Sequence, residues 1–486
     1  MKIHDLAALH AEATERTALE YQNTRISYAE LNKAVNAYAS YFISQGIQPG
    51  DRVALALPNC PEFIFAYLGI TKAGGVAVPL NLMLTPEEIV YIVKDAAPRI
   101  LLTQPDMANK LSALVSNSPT QAVPLDEKTK SQILSQPLTS FPEVDDDQVC
   151  TFLYTSGTTG HPKGVMLSHR NFVSNVKSLK DFSKLGPEEN FLAVLPMFHS
   201  FGWTVCVLTP LYLGAKITIL DAFRPKEVLD TLANKDITIF CGVPSMFAVL
   251  QKMSPRNTFP KLWLVISGGA ALPGEVQRGF EEKFGVSIVE GYGLTEASPV
   301  VCLNPIYGKR KAGSIGVSIP DVEAKVIDET GRELPPGEVG ELVVRGPNVM
   351  KGYYRREADT RETLKDGWLH TGDLARRDED GYFFIAGRKK ELIITAGFNV
   401  YPREVEELLL SYPGVAEAAV IGVPHPVKGE TVKAVIVPEE GHTLERQEII
   451  KYLKERLAQY KIPEIIEFTD SLPKGPGGKI LKRLLQ

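Results

Sequence analysis

Between Arg52 and Gln104 the chain alternates short apolar runs with longer amphipathic stretches: RVALAL, PEFIFAYLGITKAG, VAVPL, TPEEIVYIVKDAAP and RILLTQ. Short apolar runs bounded by polar residues predict buried strands. Stretches with apolar positions every three or four residues predict helices, so this segment reads β-α-β-α-β. The same alternation returns after Asn190, with FLAVLP, KITIL, TIFCGVP, LWLVIS and SIVEGYG as strands and helices between them, such as Pro273 to Phe284. Strands that alternate with helices predict a large parallel-sheet core. Between Gly313 and Gly387 the pattern changes to Gly- and Pro-punctuated alternating segments, VEAKVID, GELVVRG and GYFFIAG, which predict antiparallel strands and hairpins.

Beyond a charged RKKE cluster at Arg388 to Glu391 come PREVEELLL, EAAVIGV, TVKAVIV, the helical LERQEIIKYLKERLAQY and IIEFTD, a small α/β unit of its own. The expected fold is therefore α/β. A large N-terminal domain of parallel α/β sheets spans 1–387 with a β subdomain at about 313–387. A hinge follows at 388–391, and a small α+β C-terminal domain at 392–486. A chain of 486 residues exceeds what one hydrophobic core usually supports, which agrees with two or three packed units.

Composition narrows the partners. A formal charge of -5 and 23% charged residues provide no basic field for a nucleic-acid backbone. The five cysteines are odd in number, widely spread and free of any CxxC pairing, so neither a disulfide framework nor a zinc site is suggested and a reducing cytoplasm fits. The N-terminus mixes charges into an amphipathic pattern without the apolar core of a signal peptide. The longest uncharged run, Phe191 to Ala215, is interrupted by Pro196, His199, Gly202, Pro210 and Gly214 and does not read as a membrane span.

The segment Tyr154 to Gly164, YTSGTTGHPKG, packs hydroxyls, glycines and one lysine directly after the apolar run CTFLY. Glycines let successive backbone N–H groups converge on an anion, hydroxyls add donors, and Lys163 adds a point charge; together these suit a triphosphate. It is not a Walker A loop, since Pro162 precedes Lys163 and Gly164 follows it. EGYGLTEAS, Glu290 to Ser298, sets Thr295 beside Glu296 at a strand end, where α/β sheets bind ligands. A carboxylate there can hold Mg²⁺ on phosphate oxygens; the alternative is an ordinary helix cap. The small residues of SGGAALP, Ser267 to Pro273, let backbone approach a flat ring, or simply make a βα turn. Asp373 in HTGDLARR has two oxygens for two ribose hydroxyls, or forms a turn. In PMFHSFGW, His199 lies in an apolar stretch as a pocket residue or a satisfied core histidine.

TSGTTGHPKG resembles the phosphate-loop signature of the acyl-adenylate-forming enzymes, which include acyl-CoA synthetases, luciferases and peptide-synthetase adenylation domains. Further family motifs follow in order to the C-terminus, so the resemblance covers nearly the whole chain. It implies an AMP-forming acid:CoA ligase of the fatty-acid type, using ATP, Mg²⁺ and coenzyme A, with a small domain that swings between two half-reactions. Thr155, Ser156, Gly157, Thr158, Thr159, Gly160 and Lys163 would hold the phosphates. Gly269, Ala270, Ala271, Glu290, Gly291, Tyr292 and Gly293 would surround the adenine, with Tyr292 stacked on it. Asp373 would take the ribose and Arg388 would face the nucleotide. Thr295 would donate to the α-phosphate, and Glu296 would carry the metal.

On the acid side the resemblance places His199 at the carboxylate end of an acyl pocket that includes Gly242 and Gly269. Trp203 falls where some long-chain synthetases carry a gating tryptophan; a buried structural Trp is the other reading. Lys390 would be the pivot, Gly397 would lie beside the thiol tunnel, and Lys479 in LPKGPGGKILKRLL would be the catalytic lysine. At roughly 4 Å and an effective dielectric near 20, its ammonium stabilises a developing charge by about 4 kcal/mol, about a thousandfold in rate. Gly475 stands where the commoner pattern has Thr, and Ile394 and Ala396 stand where plant-type aryl-CoA ligases usually carry lysines. Medium or long fatty acids are the expected substrates. Alternatives are an aryl-CoA ligase, an acyl-AMP ligase loading a carrier protein, or a non-catalytic nucleotide-binding relative. The end soon after Lys479, with no carrier domain and no SKL, points to a free-standing cytoplasmic ligase, and a homodimer is left open.

Overall fold

A computed structural model describes residues 1–116, 118–155, 162–255, 258–474 and 480–485. Two large sheets form the N-terminal region. The first has nine strands in the spatial order Val317–Ser318, Val300–Leu303, Ile288–Gly293, Leu264–Ser267, Ile239–Gly242, Asn190–Ala193, Lys216–Ile219, Thr17–Tyr21 and Thr24–Ser27. Its central pairings, from Ile288–Gly293 through to Thr17–Tyr21, are parallel. The second has seven strands, with a parallel set of Val76–Pro79, Arg52–Ala56, Ile100–Thr103 and Gln121–Pro124 beside the hairpin Val149–Thr155 and Lys163–Ser168.

The all-apolar strand runs follow from burial on both faces, which parallel sheets require. One continuous core joins side chains of the two sheets, such as Val53, Leu55, Phe191 and Ile217, to the helices Tyr28–Ser44, Pro61–Lys72 and His169–Ser183. The outer face of the first sheet packs Leu192, Phe240 and Val265 against Val228, Phe247 and Phe280 from three further helices. That of the second packs Ala54 and Val78 against Ile89, Ile92 and Leu111. Local signals agree with this: helix Tyr28–Ser44 opens with a capping box, Ser27 Oγ accepting from Glu30 N–H and Glu30 Oε2 from Ser27 N–H.

The β unit expected over 313–387 is an antiparallel sheet of Glu323–Ile327, Val339–Arg345, Trp368–Arg377, Leu364–Lys365 and Phe383–Arg388. Two short strands in that range leave it: Val317–Ser318 joins the nine-stranded sheet and Gly352–Tyr353 joins the seven-stranded one. The C-terminal region forms a separate sheet of Phe398–Val400, Ile393–Thr395, Gly429–Pro438, Val415–His425 and Ile465–Phe468. Its core, including Val405, Leu409, Val420, Ile436 and Ile449, is distinct from those of the large sheets. No helix among the described residues is long and apolar enough to cross a membrane.

Candidate active site at the strand ends

The carboxyl ends of the parallel strands Asn190–Ala193, Ile239–Gly242, Leu264–Ser267 and Ile288–Gly293 lie side by side, so the turns that follow them share one edge of the sheet. Buried asparagines set those turns. Asn59 donates to Leu195 O and Leu220 O and accepts from Met197 N–H at 2.8 Å, which fixes the approach to His199. Asn175 exchanges two hydrogen bonds with the Val300 backbone, and Asn348 donates to Ala297 O at 2.8 Å, which fixes the turn carrying Thr295 and Glu296.

Thr155 and Lys163 are directly paired across the antiparallel strands Val149–Thr155 and Lys163–Ser168, which brings the two ends of the motif together. Ser156, Gly157, Thr158, Thr159 and Gly160 lie outside the described residues. Lys163 Nζ is 2.8 Å from Asp359 Oδ1 and 5.3 Å from the centre of the Tyr353 ring. The Tyr353 hydroxyl in turn donates to Glu296 Oε1 at 2.8 Å. On the other side of the same turn, Thr295 Oγ1 is 3.4 Å from Ser200 Oγ, next in sequence to His199. The turn Thr295–Ala297 therefore joins the Lys163–Tyr353 side of the sheet edge to the His199–Ser200 segment.

The His199 side chain is exposed at the surface, and the protein packed around it still desolvates the ring and lowers its pKa. Its Nδ1 accepts from Phe201 N–H at 3.2 Å, so the neutral ring carries its proton on Nε2. Gly202 is required here, since a Cβ would sit 2.4 Å from Pro196 O. Trp203 has no exposed surface and stacks on Tyr67 with ring centres 3.8 Å apart, with Phe63 edge-on. Its Nε1, like Ser267 Oγ, is buried with no hydrogen-bond partner among the described residues. At Gly242 an added Cβ would meet the Phe247 ring at 2.9 Å, and at Gly268 it would meet Phe201 at 3.2 Å, so aromatic side chains line both turns.

Gly269 has a φ of +79°, and it, Ala270 and Ala271 are exposed at the sheet edge. Gly291 and Tyr292 are half-buried at the end of their strand, and a Cβ on Gly293 would strike Pro299 O at 2.2 Å. The turn is held from below by Glu290, whose Oε1 accepts from Leu272 N–H at 3.1 Å. Burial pushes the Glu290 carboxyl up to about 7. Tyr292 donates to Asp373 Oδ2 at 2.5 Å, and Arg388 Nε lies 2.8 Å from Asp373 Oδ1. Burial first, and then the Asp373 charge, raise the Tyr292 pKa well above its ordinary value, so it stays a donor. Each Asp373 oxygen keeps a second lone pair for a hydroxyl.

No group of three or more His, Cys, Asp or Glu able to hold a metal comes together among the described residues. The single carboxylate of Glu296 suits Mg²⁺, which takes one or two protein carboxylates and fills its shell with phosphates and water. Lys390 and Gly397 lie on the exposed small-domain side; Gly397, with a φ of +84°, and Ala396, at +49°, make the tight turn between Thr395 and Phe398. Lys479 lies outside the described residues. Two participants escaped the sequence reading, Tyr353 and Asp359, because neither belongs to a motif spaced from Glu296 or Lys163.

Fold and site together define an α/β protein in which the Thr295–Ala297 turn lies at the carboxyl edge of a parallel sheet and an Asp373–Arg388–Tyr292 cluster lies beside it. Residues 7–354 match the AMP-binding enzyme family, and residues 404–479 match the AMP-binding enzyme C-terminal domain. The chain is 38% identical to a feruloyl-CoA synthase of Amycolatopsis sp, over 96% of this chain and 94% of that protein. It is 36% identical to the long-chain-fatty-acid–CoA ligase of Bacillus subtilis, over 98% of this chain and 92% of that one. The crystal structure of ATP-bound MatB from Rhodopseudomonas palustris is 36% identical and superposes with a TM-score of 0.94, over 100% of this chain and 98% of that one. The apo structure of the same protein superposes at 0.85. The chain belongs to the AMP-binding enzyme family, and within it to the AMP-forming acyl-CoA synthetases.

Proposed function

We propose that this enzyme activates a medium- or long-chain fatty acid. The acid's carboxylate attacks the α-phosphate of ATP, pyrophosphate leaves, and a CoA thiolate then displaces AMP from the mixed anhydride. The observation that carries the reading is the turn Thr295–Ala297, which links Lys163 through Tyr353 on one side to the His199 segment through Ser200 on the other. The phosphate loop would hold the leaving pyrophosphate, with Mg²⁺ on Glu296 neutralising phosphate charge. Asp373 and Arg388 would orient the ribose, and Thr295 and Lys479 would stabilise charge at the reacting centre. The better superposition on an ATP-bound relative supports an arrangement suited to the first half-reaction. Lys390 would act as the pivot, and Gly397 would meet the thiol after the small domain turns.

The fatty-acid reading is supported by the Bacillus subtilis relative and by the apolar side chains of Phe247 and Met246 packed against Gly242. An aromatic acid is the second reading, favoured by the feruloyl-CoA synthase relative and by the tight packing of Trp203, which would have to leave Tyr67 to open a long tunnel. Pyrophosphate release with acetate, octanoate, palmitate, benzoate and coumarate, with and without CoA, decides between them. The fatty-acid reading expects kcat/KM for octanoate or palmitate to exceed that for coumarate by at least about tenfold, roughly 1.4 kcal/mol of differential transition-state binding. The reverse order overturns it.

A further inference from the structure

The segments flanking 475–479 are fastened to the small domain at several points. Lys474 and Ile480 pair as an isolated antiparallel bridge, and Leu481 N–H donates to Pro473 O at 2.8 Å. Leu472, with Ile480 and Leu485, packs on Ala419, Val435 and Val437. Lys474 Nζ is 2.7 Å from Glu417 Oε1. The first two contacts join the flanking segments to each other, and the last two reach the sheet.

Among the described residues, Lys482 reaches the hinge. Lys482 Nζ lies 2.7 Å from Glu406 Oε1 and 3.1 Å from Glu391 Oε2. Glu391 ends the hinge turn Lys389–Glu391, and Glu406 lies in the helix Pro402–Leu410, where the same Oε1 also accepts from Val420 N–H at 2.8 Å. The Lys482 side chain is only 19% exposed. Burial pulls its pKa down, but the two carboxylates outweigh that and leave it raised, so the ammonium stays charged. Without this cation, Glu391 and Glu406 would face each other as unpaired like charges.

We propose that Lys482 is a positioning residue for the adenylation step: it ties residues 480–485, which directly follow Lys479 in the chain, to the hinge turn and to helix Pro402–Leu410. The proposal rests on the reading of Lys479 as the adenylating lysine. A segment held to the sheet alone can shift relative to the hinge, and a misplacement of about 1 Å at a reacting centre costs up to about a hundredfold in rate.

The test uses full-length Lys482→Met, Lys482→Arg and Lys479→Ala. Acyl-AMP formation is measured per active site, with the active fraction taken from burst amplitude, alongside conversion of supplied acyl-AMP and CoA to thioester. Lys482→Met is expected to slow acyl-AMP formation about tenfold to a hundredfold while thioester formation changes less than about twofold. Lys482→Arg, whose fork reaches two carboxylates, recovers most of the loss. Equal loss in both half-reactions, or a fall in active fraction with an unchanged rate per site, overturns the proposal and leaves Lys482 a stability element. If Lys479→Ala forms acyl-AMP at the normal rate, the parent reading fails, and that result is independent of any Lys482 variant.

Discussion

The side of the site proposed for the nucleotide and the side proposed for the acid are built on different physics. On the nucleotide side, polar atoms meet in pairs: Tyr292 and Arg388 on Asp373, Tyr353 on Glu296, Lys163 on Asp359. On the acid side, Trp203, Tyr67 and Phe63 fill volume, and the polar atoms Trp203 Nε1 and Ser267 Oγ are unpartnered among the described residues. Charge-assisted hydrogen bonds dictate residue types and leave a motif in the sequence. Packing dictates only size and shape, and many residues satisfy it. The difference teaches why such a chain announces its nucleotide chemistry and withholds its acid.

The comparison predicts its largest effect at Asp373. Replacing it with Ala strips two donors of their acceptor and leaves the Arg388 guanidinium beside a buried phenol. The two hydrogen bonds that Asp373 would accept from a ribose are lost at about 1.5–2 kcal/mol each, since Arg388 is half-exposed and solvent screens the remaining charge. ATP-dependent pyrophosphate exchange should therefore fall in kcat/KM for ATP by roughly a hundredfold to a thousandfold. The KM for the acid should move little. A comparable loss in acid affinity would show that the two sides are not separately built.

Trp203→Ala probes the other side. The residue is fully buried against Tyr67 and Phe63, so its removal should destabilise the fold by about 3–5 kcal/mol, seen as a lower denaturation midpoint. If Trp203 also gates a tunnel, the relative kcat/KM of octanoate and palmitate should change beyond about fivefold, roughly 1 kcal/mol. A stability loss with unchanged preference assigns Trp203 to packing alone.

The same contrast explains what was legible in the sequence. The strands RVALAL, VAVPL, RILLTQ and FLAVLP are apolar runs because both sheet faces are covered, so the α/β core could be read directly. The two strands that desert the β unit could not, since Val317–Ser318 and Gly352–Tyr353 are two-residue pairings set by distant partners. Asp373 and Arg388 stood out as motif residues, and their direct pairing across adjacent strands explains why they occur together. Tyr353 did not stand out: it meets Glu296 from 57 positions away, a relation that only the fold creates. Lys482 was equally hidden, as one cation in a basic C-terminal run, until Glu391 and Glu406 appeared beside it.

Glu290 lies where the two sides meet, and it gives the smallest and most pH-specific prediction. Its carboxylate fixes Leu272 in the turn after strand Leu264–Ser267, and its backbone carbonyl accepts from Asn304 N–H and Nδ2. Burial raises its pKa from 4.5 to about 7; Arg403 opposes the rise and Glu407 adds to it, both from helix Pro402–Leu410. Between those two values the folded protein holds a proton that the unfolded chain has released, so stability falls as pH rises through that window. The size is at most about 3 kcal/mol, at 1.36 kcal/mol per unit. Glu290→Gln keeps an acceptor for Leu272 N–H and cannot titrate, so its stability profile between pH 5 and 8 should be flatter than that of the parent, while KM for ATP changes less than about threefold, under 1 kcal/mol. Parallel profiles would mean that Glu290 carries no linked proton. A large rise in KM for ATP would instead make its side chain a nucleotide contact, and would move this residue from the junction of the two regions wholly onto the nucleotide side.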